Sequence, residues 1–150
     1  GVAMNNFLGE ADVTHPLLLE HSGERLLTMC SPLILQSADQ IYALGSGGSS
    51  RIPGALIQVI KRIMQNYSIS DAVELSRFHP YCEQTLQQIL LEPMGKTNVV
   101  AIQTTFPQTD VMMFDNTNLY FGGVHIAGLN KGVGVGVGDS RRSGCSIVFK

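Results

Sequence analysis

The stretch LGSGGSSRI, from Leu44 to Ile52, joins a short apolar run to a long helical pattern, and glycine and serine packed this densely read as a tight strand-to-helix turn. After it, Leu56, Val59, Ile60, Ile63, Met64 and Tyr67 recur at helical spacing, while Gln58, Lys61, Arg62 and Gln65 take the opposite face. Pro53 suits the first helical turn, where its missing N–H leaves nothing unpaired. A turn of this kind exposes backbone N–H groups, and the helix start adds a partial positive charge. Its guest would be negative or becoming negative: a phosphate, a carboxylate, or the oxyanion of an acyl-transfer intermediate.

The rest of the chain supplies a sheet and further helices. SPLILQSADQIYALG predicts a hairpin, with strands over Leu33–Gln36 and Ile41–Leu44. Ser68 and Asp71 have capping-box spacing and predict a short second helix stopped by Pro80. CEQTLQQILLEP predicts a third helix closed by Pro93. TNVVAIQTTF, DVMMFDN, NLYFGGVHIAGL, GVGVGVG and CSIVFK predict strands, with DNTN as a turn. Val133, Val135 and Val137 alternate with glycines, which puts one row of side chains on a single face and lets another layer come close. GVAMNNFLGEADVTHP predicts a short strand and an exposed loop. This order predicts an α+β fold in one domain over residues 1–150, its helices on one side of the sheet, with no internal repeat.

Composition removes several function classes. The chain of 150 residues is 44% apolar and 15% charged, enough for a packed core. Its formal net charge of -2 and scattered basic residues argue against nucleic acid as a main partner. No apolar run is long enough to span a bilayer, and the start has neither the basic nor the apolar region of a signal peptide. The start also lacks an initiating Met, so the chain reads as cut from something longer. Cys30, Cys82 and Cys145 form no CxxC pair, and an odd number argues against a disulfide framework.

The candidate chemistries are thin when taken from spacing alone. Gly45 and Gly47 are followed by Ser50 where a dinucleotide fingerprint needs glycine, and the loop ends in SSRI where a phosphate loop needs GK[ST]. On composition the plain turn is favoured over either ligand. His15, His21, His79 and His125 have no acidic or cysteine neighbours at ligand spacing, so no metal is expected and each reads as a surface or loop histidine. No GxSxG elbow supports a serine triad. Glu10 and Asp12 are the only paired carboxylates. DSRRSG, residues 139–144, reads either as a solvated turn with a local ion pair or as a structural clamp at the end of the Gly/Val strand.

In this order, MNNFLGEAD, LTMCSP, LGSGGSSRI, the long helix, ISDAVELSRFH, GGVHIAG and GDSRRSG resemble the γ-glutamyltransferase family over nearly the whole chain. The resemblance is to the C-terminal part of that family's small subunit. It implies an N-terminal-nucleophile hydrolase, a four-layer αββα sandwich built by two subunits of one self-cleaved precursor. It implies a threonine nucleophile whose own α-amino group is the base, a γ-glutamyl amide such as glutathione as substrate, the large subunit as partner, and no metal or organic cofactor. It favours export, periplasmic or secreted, over the cytoplasm; the compartment is otherwise open.

Carried over by position, the family's oxyanion glycines fall on Gly48 and Ser49, whose backbone N–H groups would hold the developing charge. Two serines that hold the substrate α-carboxylate fall on Thr28, which keeps a hydroxyl, and Met29, which offers only its backbone. The acidic residue for the substrate α-amino group falls on Glu10, and a glutamine of that loop is replaced by Phe7. The nucleophilic threonine lies upstream of Gly1 in the family, so the isolated chain is expected to be inactive and to self-associate through the surface its missing half would cover. Two rival readings stand beside γ-glutamyl transfer or hydrolysis. One is an inactive member that binds an amino acid or a partner; the other is a related acylase or poly-γ-glutamate transpeptidase.

Overall fold

The computed structural model describes residue 23, residues 28–83 and residues 86–149. In chain order the elements are β1 Leu33–Gln36, β2 Gln40–Gly47, α1 Ile52–Met64, α2 Ile69–Glu74, β3 Phe78–Glu83, β4 Leu86–Leu91, α3 Lys96–Thr105, β5 Asp110–Met113, β6 Gly123–Asn130, β7 Val133–Val137 and β8 Ser146–Phe149. Single 3-10 turns cover Ser49–Arg51, Leu119–Phe121 and Ser140–Arg142. The expected opening strand lies outside the described residues.

The strands form a five-stranded antiparallel sheet, ordered β1-β2-β6-β7-β8, and a three-stranded sheet, ordered β3-β4-β5. In the first, strict alternation sends Tyr42, Leu44, Val124, Ile126, Val135 and Val137 to one face, where they meet Leu56 and Val59 of α1 and Ala72 and Val73 of α2. This face is the core, as the helical stripe and the valine row predict. Ser68 caps α2 by accepting from the Asp71 N–H at 3.0 Å. The other face, with Ile34, Ile41, Leu129, Ile147 and Phe149, is covered by no described element, and those five side chains are 40–72% exposed.

Five expectations need correction. First, the predicted third helix is strand β4. Ile89, Leu90 and Leu91 are all buried between β3 and β5, and a strand buried on both faces reads as an apolar run rather than an alternation. Second, the predicted strand TNVVAIQTTF is helix α3. β4 and β5 are parallel, and a parallel pair requires a crossover, which overrides the β-branched preference of this segment. Thr104 and Thr105 accommodate by donating their hydroxyls to the carbonyls four residues back. Third, Pro80 ends no helix. α2 stops at Glu74, and Pro80 sits inside edge strand β3, the kind of position that tolerates a missing donor. Fourth, β6 begins only at Gly123, after the 3-10 turn at Leu119–Phe121. Fifth, the space over Gly134 and Gly136 is taken not by another layer but by Phe149 and Ile147 of the neighbouring strand β8.

Candidate active site

β2 ends at Gly47, opposite Gly123 at the start of β6, and the chain then turns into α1 through Gly48, Ser49 and Ser50. Gly48 has φ 130°, a conformation L residues rarely adopt, and a Cβ there would lie 3.0 Å from Gly122 Cα. Gly122, at φ 83°, answers it: a Cβ there would meet Gly47 O at 2.9 Å. The two backbones can touch only because both are glycine. Ser49 follows at φ 51°, left-handed and unusual for a residue with a side chain. The Arg51 N–H closes the turn on Gly48 O at 3.1 Å. Among the described residues, neither the Gly48 nor the Ser49 N–H has a backbone partner, and the Ser49 hydroxyl is buried without one. Unpaired donors in a strained turn at a helix start are the features an anion or oxyanion site requires.

An aromatic wall flanks the turn. The Arg51 guanidinium lies 4.7 Å over the Tyr120 ring, and Tyr120 packs edge-on against His79 and Phe121. His79 is therefore not the surface histidine expected: it is half-buried in β3. Burial, with the Arg51 charge second, pulls its pKa below the ordinary histidine value.

Behind the turn, on the helix side of the sheet, four ionised side chains meet in the core. Arg77, Glu92 and Asp139 are wholly buried and Arg141 nearly so. Arg77 Nη2 pairs with Asp139 Oδ2 at 2.6 Å, and Arg141 pairs with Glu92 at 2.5 Å and Asp139 at 3.2 Å. Burial alone would raise the Asp139 carboxyl, but Arg77, the N–H groups of Val124 and Arg141, and the Arg141 charge outweigh it and hold it below its usual range. The cluster grips the strip that supports the turn. Arg77 Nη1 donates to Phe121 O at 3.3 Å, and the Val124 N–H donates to Asp139 Oδ2 at 2.8 Å, on either side of Gly122 and Gly123. DSRRSG is thus a clamp, and the solvated-turn reading of it is overturned for Asp139 and Arg141. Arg77 and Glu92 were missed by sequence reasoning. They sit in segments whose elements were unrecognised or misread, and a lone buried acid and a lone arginine leave no local signature.

Gly48 and Ser49 stand together at the turn. Thr28 and Met29 precede β1, which enters the sheet at the end where β2 leaves it, since Leu33 pairs with Leu44. Their roles are not visible in their contacts: the Thr28 hydroxyl accepts from the Cys30 N–H at 3.2 Å, and Met29 packs against the core. Glu10 and Phe7 lie outside the described residues. Recesses of about 340 and 370 Å³ open at the far end of the sheet, around the β1–β2 turn. Among the described residues no His, Cys, Asp and Glu cluster could hold a metal, and no helix is long and apolar enough to cross a membrane.

Comparison with known proteins identifies the family and the fold. The gamma-glutamyltranspeptidase family matches residues 3–149. The transpeptidase CapD of Bacillus anthracis is 25% identical, with a TM-score of 0.66 over 81% of this chain and 72% of that one. A highly active mutant of the Pseudomonas nitroreducens gamma-glutamyltranspeptidase is 23% identical, with a TM-score of 0.67 over 87% of this chain and 66% of that one. A mutant of the Helicobacter pylori gamma-glutamyltranspeptidase is 24% identical, with a TM-score of 0.62 over 81% and 65%. No curated protein matches by sequence. The chain belongs to the gamma-glutamyltranspeptidase family.

Proposed function

We propose that this chain, as a member of that family, is the C-terminal part of the small subunit of an enzyme that moves γ-glutamyl groups to water or to an amine. The supporting observation is the Gly48–Ser49 turn, whose two N–H groups have no backbone partner among the described residues and which is seated on Gly122. In such a reaction a hydroxyl attacks the γ-carbonyl carbon, and the C=O electron pair moves onto oxygen. The Gly48 and Ser49 N–H groups stabilise that oxyanion until the pair returns and the C–N bond breaks, the amine leaving with the proton the attacking hydroxyl gave up to the threonine's own α-amino group. Water or an acceptor amine then attacks the acyl-enzyme, and the threonine oxygen leaves with a proton returned from that group. One such donor is worth about 3–4 kcal/mol of transition-state stabilisation in comparable sites. The attacking hydroxyl is the threonine that precedes this segment in the family. Glu10 holds the substrate ammonium, with Thr28 and the Met29 backbone at its carboxylate.

The uncovered face of the five-stranded sheet fits the partner this role requires. Ile34, Ile41, Leu129, Ile147 and Phe149 form an apolar face of the kind that marks an interface rather than a solvated surface. The large subunit of the same precursor is its natural cover, and in the isolated chain this face drives self-association.

The test is turnover of a γ-glutamyl anilide by the full-length protein and by the isolated chain. The expected result is anilide release by the first and none by the second. A full-length protein that is folded, processed and inert would favour an amino-acid or partner-binding member instead.

A further inference from the structure

At the end of the sheet away from Gly48, the helix-covered face opens into a hollow. β2 and β6 set Gln40 beside Asn130 and Tyr42 beside Gly128, and β7 adds Val135 next to Gly128. Ile63, near the end of α1, packs against this end of the core, and the chain then bends toward α2 through Asn66, held left-handed at φ 67°. Two recesses of about 370 and 240 Å³ open here and share Gln40, Tyr42, Ile63 and Asn66, so they form one continuous hollow. Its size is that of a small-molecule site, about 300–1,000 Å³.

The hollow contains an unanswered polar group. Tyr42 is 1% exposed, yet among the described residues nothing bonds its hydroxyl. Buried tyrosines ordinarily find a partner for that group, and leaving it dry costs free energy. Burial pushes the phenol pKa up, and no neighbouring charge offsets it. The other polar groups here are mainly side-chain amides. Gln40 Nε2 donates to Asn130 Oδ1 at 3.4 Å, which leaves Gln40 Oε1 to accept and Asn130 Nδ2 to donate, and the Asn66 amide adds one of each. Among the described residues, no Lys, Arg, His, Asp or Glu lines either recess, while Ile63 and Val135 supply apolar wall. An ion entering here would lose water and gain no counter-charge. A purely apolar ligand would leave the phenol and the amides unpaired. The chemistry that fits both is a neutral ring with several hydroxyls, each able to donate and accept, and with apolar C–H faces.

We propose that this hollow binds a neutral pyranose sugar, with Tyr42, Gln40, Asn130 and Asn66 as its hydrogen-bonding residues. The sugar gives the Tyr42 hydroxyl the partner it otherwise lacks. Tyr67, 49% exposed and lining the smaller recess, offers an aromatic ring to the C–H face of the sugar. The hollow lies at the opposite end of β2 from the Gly48 turn, so this site does not depend on the γ-glutamyl reading.

The experiment measures binding of three sugars that share one ring to the full-length protein, by saturation-transfer NMR and calorimetry: neutral D-glucose, anionic D-glucuronate and cationic D-glucosamine. Glucose should bind in the millimolar range, and each charged analogue roughly tenfold more weakly or not at all. Tyr42→Phe should weaken glucose binding roughly three- to tenfold, the effect of one hydrogen bond. Asn66→Gly, which keeps the left-handed backbone and removes the amide, should weaken it by a similar factor. Without sugar, Tyr42→Phe should hold or raise the Tm, because it deletes an unpaired hydroxyl. A lower Tm would show that the folded protein already pairs that group, and would overturn the proposal. So would a wild type that binds no glucose, leaving water as the occupant, equal binding of all three sugars, or glucose binding that ignores both variants.

Discussion

Two polar sites share one end of the five-stranded sheet, and they treat their polar groups in opposite ways. In the cluster of Arg77, Glu92, Asp139 and Arg141, charge is enclosed and almost every donor and acceptor has a partner; among the described residues Arg77 Nε alone in the cluster is buried without one. In the turn at Gly48 and Ser49, the backbone is strained, and among the described residues two N–H groups have no backbone partner and one buried hydroxyl has none at all. The same strip, Phe121 to Val124, touches both: the cluster holds it from behind and the turn rests on its glycines. A saturated network is rigid but can bind nothing further, whereas an unsaturated turn can bind but would relax if left unsupported. Under the proposed function, the two together make a preorganised site.

The largest effect should come from the saturated side. Asp139→Ala leaves two arginines without their shared carboxylate in the core. We expect a loss of about 3–5 kcal/mol in urea unfolding, because breaking a buried pair strands its partner. A loss below about 1 kcal/mol would mean that the cluster is not the anchor its burial implies. The pH arm follows from the depressed Asp139 pKa. Its contribution is fully present above the ordinary aspartate value of about 4 and fades as the pH falls below it.

Next comes the turn. In the full-length protein Gly48→Ala must place a Cβ 3.0 Å from Gly122 Cα at φ 130°, so the turn lifts off its support. The expected result is a fall in kcat of roughly a hundredfold, with a smaller change in unfolding midpoint. Ser49→Gly, which relieves the left-handed serine, should keep kcat within about threefold. Proline at 49 is a poor probe, since φ 51° is beyond its reach and the backbone would change along with the donor. If Gly48→Ala keeps full kcat, the contrast between the two sites has no catalytic meaning.

The smallest effect lies in the wall beside the turn. The lowered His79 pKa means that stability is present above the ordinary histidine value of about 6.5 and declines as acidification forces a proton onto the ring. His79→Phe should flatten the urea midpoint between about pH 7.5 and 5. A wild-type midpoint already flat over that interval would remove His79 from the account.

Most of the five-stranded sheet and its two helices was legible in the residues themselves. The signals there are local: the stripe of α1, the Ser68 cap, the valine alternation of β7, and glycines where β2 turns into a helix. The Gly48–Ser49 turn and its family belong to that legible part, because a strained turn before a helix needs particular residues in sequence. The segment from Phe78 to Met113 was not legible. Leu86, Ile89 and Leu90 have helical spacing, yet they belong to a strand; Val99, Val100 and Ile102 favour a strand, yet they belong to a helix. Only the parallel pairing of β4 with β5 decides between these, and that pairing joins residues some twenty apart. The ion cluster is the same case at greater range. Arg77, Glu92 and Asp139 carry no shared spacing, and their charges are tolerable in the core only once the fold brings them within hydrogen-bond distance. Local propensity and turn chemistry are written residue by residue, whereas the partner of a buried charge or of a central strand exists only in the packed molecule.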